Sequence, residues 1–172
     1  MELLRTDRLR VRAWTTSDDD LARLADLYGR PEVLRFLSGP PSGGVRALVE
    51  RWGQVHAADR RAGCWAVEPL AGGPPAGTVL FKPLPGGVGE FEVGWHLHPD
   101  SWGRGYATEA AAAVVQHAFE DGLPEVYAVV RPCNEPSVAV CRRLGMEPLG
   151  RTTRWYGVEC EAFRLSAPCV VD

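Results

Sequence analysis

One stretch, FEVGWHLHPDSWGRGYATEAAAAVVQHAF from Phe91 to Phe119, constrains the fold more than any other. Its first half alternates. Phe91, Val93, Trp95 and Leu97 are apolar, and Glu92, Gly94 and His96 lie between them. A period of two predicts a strand with one face buried. Pro99 and Asp100 end it. The second half changes period. Ala107, Ala110, Ala111, Val114, Val115, Ala118 and Phe119 recur at helical spacing and predict one apolar helix face. WGRGYA, Trp102 to Ala107, joins the two halves. Its glycines permit a tight turn and a close approach of backbone to a ligand.

A strand, a glycine turn and a helix make an electrostatic device. The first helical turn has N–H groups without intrahelical partners. The helix dipole adds about half a positive charge there. The turn formed by Trp102, Gly103, Arg104, Gly105, Tyr106 and Ala107 is therefore expected to seat a phosphate or pyrophosphate, with Arg104 adding a full charge. A glycine turn without a ligand is the plainer alternative. A Walker loop is excluded, because no Gly-Lys-Ser/Thr follows. A Rossmann fingerprint fails at its last position, which is Thr108 when counted from Gly103. The unit also lies mid-chain, after several antiparallel-looking strands, whereas a dinucleotide site usually opens the first βαβ unit.

HLHPDSWGRGYATEA resembles the acyl-CoA-binding segment of the GNAT acetyltransferases. That family has a strand, a Q/R-x-x-G-x-G/A loop and a helix whose N-terminus holds the CoA pyrophosphate. Gly105 and Ala107 match the last two loop positions, and Trp102 replaces the first-position Gln or Arg. The replacement is usual in the branch of Rim-type ribosomal-protein N-terminal acetyltransferases, with its W-G-x-G-Y-A-T-E-A run. Thr6 to Arg12 resembles that branch's opening strand. NEPSVAVCRRLGM, Asn134 to Met146, resembles its N-x-x-S helix and L-G-F/M turn. The resemblance spans about Thr6 to Leu165.

Composition narrows the classes. A length of 172 residues suits a single domain, 1–172, with a sizeable core. The net charge of −3 gives no overall electrostatic case for nucleic acid or an anionic membrane. The five cysteines (Cys64, Cys133, Cys141, Cys160, Cys169) form no C-x-x-C pair. Reduced thiols and a cytoplasmic location are expected. No signal core or membrane span is expected either.

Along the chain, Leu9 to Trp14 reads as a first strand with Arg8, Arg10 and Arg12 on its outer face. Ser17 is a candidate N-cap before three aspartates, and Leu21 to Tyr28 is a helix ended by Gly29 and Pro31. A short element, Glu32 to Leu37, precedes the loop Gly39 to Gly44. Val45 to His56 is a second helix. Strands are expected at Cys64–Glu68, Thr78–Lys82, Phe91–Leu97 and Glu125–Val130. Asn134 to Leu144 is a helix stopped by Gly145. Glu147–Trp155 and Val158–Ser166 close the chain as a hairpin across Tyr156-Gly157. The expected class is α+β: a mixed, mostly antiparallel sheet of about seven strands, flanked by helices. Its fourth and fifth strands are parallel, because a helix joins them.

The resemblance implies an acetyl-CoA-dependent N-acetyltransferase of the GNAT fold, with the parallel pair splayed around the CoA cleft. Trp95, His96 and Leu97 would lie along the pantetheine arm, Trp102 to Ala107 under the pyrophosphate, and Asn134 beside the cofactor. Acetyl would pass by direct attack to a primary amine, either a protein N-terminal α-amine or a small-molecule amine. Ser137 stands at the branch's position near the sulfur. A CoA-like thiol with a pKa of ~8.5 needs only modest acid help to leave. Glu92 is a candidate base, as such strand carboxylates are in some relatives. Glu159 and Glu161 are alternatives, and Tyr156 is an alternative acid. A non-catalytic acyl-CoA sensor is the competing function. A homodimer is open, since many relatives dimerise.

Two further patterns are expected to be inert. His96, His98 and Asp100 could ligate zinc, but the strand belongs to CoA, so no metal is expected. Cys133 and Cys141 have no activating His nearby in sequence, which argues against a covalent route.

Overall fold

The two periods read in the sequence sort the side chains onto two faces of one sheet. The computed structural model describes residues 2–168. The chain runs β1 (Glu2–Arg5), β2 (Leu9–Ala13), α1 (Asp18–Leu27), α2 (Pro31–Leu34), α3 (Gly44–Ala58), β3 (Gly63–Pro69), β4 (Gly77–Pro83) and β5 (Phe91–Leu97). It continues with α4 (Tyr106–Glu120), β6 (Glu125–Val130), α5 (Glu135–Arg143), β7 (Glu147–Thr152) and β8 (Cys160–Ser166). All eight strands form one sheet in the order β1-β2-β3-β4-β5-β6-β8-β7.

On one face, Leu9, Val11, Val67, Val79, Phe81 and Val93 pack against Ala110, Ala111, Val114 and Val115 of α4. The alanines let the helix axis sit close to the strands. Phe81 and Leu9 are essentially inaccessible to solvent. Each such side chain contributes ~1.5–3 kcal/mol relative to exposure. On the other face, Trp14 and Ala66 pack against Leu24, Leu27 and Tyr28 on and just after α1, Val33 of α2 and Val49 of α3. Ser17 caps α1 by accepting from the Asp20 N–H, as expected.

The sheet has one strand more than expected. Leu3 and Leu4 are adjacent, so β1 shows no alternation. A register shift between Glu2 and Leu4 explains this, because an irregularity there lets both leucines reach the core. The basic face of β2 is also covered. Arg10 and Arg12 pair with Glu68, and Arg12 makes a bidentate pair with Asp20 of α1 at 2.9 Å.

β5 and β6 form the sheet's parallel pair, joined through α4. Their aligned register is limited to Glu92 opposite Tyr127, whereas β4 and β5 pair from Gly77–Leu97 to Pro83–Phe91. The carboxyl ends of β5 and β6 therefore diverge. Arg23, itself buried, fixes the segment after β5. It donates to both Asp100 oxygens at 2.9 and 3.0 Å and to the Pro75 carbonyl at 2.7 Å.

Gly77 closes the β4 end of this region. Its φ is 154°, and a Cβ there would stand 2.7 Å from the Leu97 Cα. Gly77→Ala is expected to cost more than ~3 kcal/mol, because backbone rather than a side chain must move. Urea unfolding of the variant checks this.

Candidate active site

The glycine turn folds as its residue types require. Gly103 and Gly105 have φ of 73° and 78°, in the left-handed region that side chains avoid. Gly105 is the N-cap of α4, and no side chain caps that end. The Tyr106, Ala107 and Thr108 N–H groups thus have no intrahelical acceptor. The Thr108 hydroxyl is buried, lines the adjoining cavity and has no hydrogen-bond partner among the described residues. Trp102 donates its indole N–H to the Leu97 carbonyl at 2.8 Å. It caps the last carbonyl of β5 and remains 50% exposed. Arg104 is exposed beside it.

The splay opens a cavity of about 1020 Å³. The glycine turn and the start of α4 wall one part, and α5 with β6 another. The direction of the β5 main chain follows from one bond. The His98 N–H donates to the Ala76 carbonyl, beside β4, at 2.9 Å. Alternate residues of a strand point their polar groups the same way. The His96 main chain therefore turns to β4, and the odd residues turn away from it: Phe91 and Val93 flank the Glu92–Tyr127 bridge to β6, and the main-chain groups of Trp95 and Leu97 face the gap. Of the three residues expected along the pantetheine arm, Trp95 and Leu97 turn their main chains to the gap, whereas His96 turns its own to β4, because its place in the β4–β5 register commits its polar groups to that neighbour.

Asn134 caps α5, its side-chain oxygen accepting from the Ser137 N–H at 3.4 Å. Both residues line the cavity. The Ser137 hydroxyl makes no hydrogen bond among the described residues, so it is free to serve a ligand.

Across the sheet, the same cavity reaches Glu92, Lys82, His96 and Tyr156. Glu92 is 5% exposed, not solvated as a strand carboxylate usually is. The Lys82 ammonium stands 3.2 Å from its carboxylate, and the Tyr156 hydroxyl donates to it. Burial, then the Glu92 charge, raises the Tyr156 pKa well above the phenol range. Tyr156 thus holds its proton on Glu92. Lys82 faces Glu92 across the β4–β5 ladder, and Tyr156 comes from the β7–β8 loop. Sequence spacing gave no sign of the Lys82 contact.

The other candidates lie apart. Glu159 pairs with Arg151 at 3.0 Å on an exposed turn, and neither Glu159 nor Glu161 lines the cavity. His96 meets Tyr28 at 3.1 Å, whereas His98 meets Asp26 at 2.9 Å. Asp100 is bound by Arg23, whose hydrogen bonds hold its carboxyl well below the usual range. Burial pushes the Cys141 thiol up to about 12, and Cys133 is exposed. Cys169 lies outside the described residues.

Acetyl-CoA fits this set of groups. An uncapped helix end suits a pyrophosphate, the Thr108 hydroxyl lacks a partner, and the open β5 edge suits the amides of pantetheine.

His96 supplies a pH test. Burial, then the Lys82 charge, pushes its pKa from 6.5 down to about 4. Between those values the unfolded chain binds a proton that the folded chain does not. Stability is therefore expected to fall as pH drops from 6.5 to 4, by as much as ~3 kcal/mol from this group. Urea titrations across that window are expected to show a shallower acid limb in His96→Asn.

Comparison with known proteins agrees with the geometry. The family profile for the acetyltransferase (GNAT) domain matches residues 8–147. A Bacillus licheniformis protein, the uncharacterized N-acetyltransferase p20, is 26% identical over 153 residues, covering 87% of this chain and 85% of that protein. The acetyltransferase of Agrobacterium tumefaciens C58 superposes with a TM-score of 0.79 at 28% identity, covering 95% of this chain and 94% of that one. An acetyltransferase of Salmonella typhimurium that modifies the N-terminal serine of ribosomal protein L7/L12 has a TM-score of 0.80 at 18% identity, covering 97% and 99%. The chain belongs to the GNAT acetyltransferase family and is an acetyl-CoA-dependent N-acetyltransferase, with Rim-type ribosomal-protein acetyltransferases among its structural neighbours.

Proposed function

We propose that residues 1–172 act as one cytoplasmic acetyltransferase domain that moves acetyl from acetyl-CoA to a primary amine, on a protein N-terminus or a small molecule. One observation supports this most. A single cavity connects the uncapped α4 N-terminus to a buried carboxylate, Glu92, on the opposite face of β5. Cofactor and acceptor then meet through the splay in a ternary complex.

Trp102 to Ala107 seat the pyrophosphate, with Arg104 adding charge and the Thr108 hydroxyl a further donor. Trp95, just beyond the last pairing with β6, offers main-chain groups to pantetheine, and Leu97 lies at the phosphate end, its carbonyl held by Trp102. Asn134 borders the arm through its amide. Glu92 takes a proton from the incoming ammonium, directly or through water. The need depends on the amine. An α-amine with pKa ~8 is partly neutral near pH 7, whereas a Lys-type amine at ~10.4 is rarely so. The neutral nitrogen attacks the thioester carbon. The N–C bond forms, a β5 N–H holds the oxyanion, the C–S bond breaks with its electron pair on sulfur, and the nitrogen's remaining extra proton passes by way of the Ser137 hydroxyl to the departing thiolate, giving the amide and free CoA thiol. Lys82 and Tyr156 fix the Glu92 carboxylate throughout.

Initial rates with peptide and small-molecule amines test the chemistry. Glu92→Gln is expected to lower kcat on the order of 100-fold near pH 7, with the deficit shrinking toward pH 10 as the amine loses its proton unaided. An unchanged kcat sinks the base assignment. Arg104→Glu combined with Gly105→Trp is expected to abolish CoA binding in a chain that still melts cooperatively; unchanged binding removes the loop from the site.

A further inference from the structure

Glu109 lies in the first turn of α4, beside the helix end assigned above to the pyrophosphate. Its side chain is only 19% exposed. A carboxylate there occupies the favourable field of the helix N-terminus and opposes any second anion. The chain supplies an answer from a turn 101 residues away in sequence. Glu109 Oε1 accepts from the Thr6 hydroxyl at 2.6 Å and the Arg8 backbone N–H at 3.1 Å. Oε2 accepts from Arg8 Nε at 2.7 Å, with Nη2 at 2.5 Å. Partial desolvation opposes the ionised form, but the bonds from Thr6 and Arg8 prevail and hold this carboxyl below its usual range. Arg8 Nη1 donates to the Arg104 carbonyl at 3.0 Å, and the guanidinium lies 5.3 Å over the Tyr106 ring.

One guanidinium therefore touches two residues of the phosphate loop, Arg104 and Tyr106, and the carboxylate of Glu109 in the first turn of α4. We propose that Arg8 is a positioning residue for the cofactor's phosphates. It cancels the Glu109 charge and props the Arg104–Gly105 backbone, so the α4 N-terminus accepts an anion from solution. The inference rests on reading this loop as the pyrophosphate seat. It differs from direct phosphate binding by Arg8, and from mere stapling of the β1–β2 hairpin, in what Glu109 does once Arg8 is gone.

The test is CoA binding by titration calorimetry for Arg8→Ala, Glu109→Gln and the double variant, with melting curves for each. Arg8→Ala is expected to weaken binding on the order of tenfold at low salt, less at high salt, because an unscreened carboxylate then faces the phosphates. Glu109→Gln is expected to bind at least as tightly as the parent. The double variant is expected to recover to within about threefold of it. A double variant as weak as Arg8→Ala overturns the proposal in favour of direct phosphate contact. Equal losses in both single variants overturn it in favour of a staple. A parent chain that binds no CoA removes the pyrophosphate reading itself and the proposal with it.

Discussion

Parallel pairing between β5 and β6 stops almost where it starts, and the site depends on that. With only Glu92 and Tyr127 in register, the rest of the β5 edge lacks a strand partner. Unpaired main-chain groups inside a protein demand partners, and an extended amide-bearing arm supplies them as another strand would. The same divergence makes a passage through the sheet. Cofactor-side groups (the α4 N-terminus, Thr108, Ser137) and acceptor-side groups (Glu92, Lys82, Tyr156) then share one cavity.

Around this opening, charge is compensated in local sets. Arg23 neutralises Asp100 just after β5, His98 bridges to Asp26, and Trp102 closes the Leu97 carbonyl. Arg8 neutralises Glu109 at the start of α4. These contacts hold the Pro99–Gly105 segment from both ends. The turn stays fixed while its N–H groups stay free, which is the condition for binding an anion without reorganisation.

Much of this was legible in the sequence because it is local. The change of period between Leu97 and Ala107 marks a strand and a helix, and the glycines between them fall where φ is positive. Asn134 and Ser137 came from a resemblance, to the N-x-x-S helix of the Rim-type branch, and the cap that Asn134 makes on α5 became visible only in the fold. What stayed hidden is set by pairing between distant segments. The Lys82–Glu92 contact follows from strand register, the burial of Glu92 from a loop that brings Tyr156 over it, and the Arg8–Glu109 pair from a hairpin. β1 escaped because its register shift abolishes the alternation that reveals strands. The His96 backbone was misdirected for a related reason: side-chain period does not say which neighbour a strand's main chain serves.

Backbone amide exchange with and without CoA, read residue by residue by NMR, tests the central claim most directly. The account predicts that CoA slows exchange at Tyr106, Ala107 and Thr108 and at the β5 amide of Trp95, beyond the last pairing with β6. CoA binding that leaves those amides unchanged and protects a different surface contradicts it.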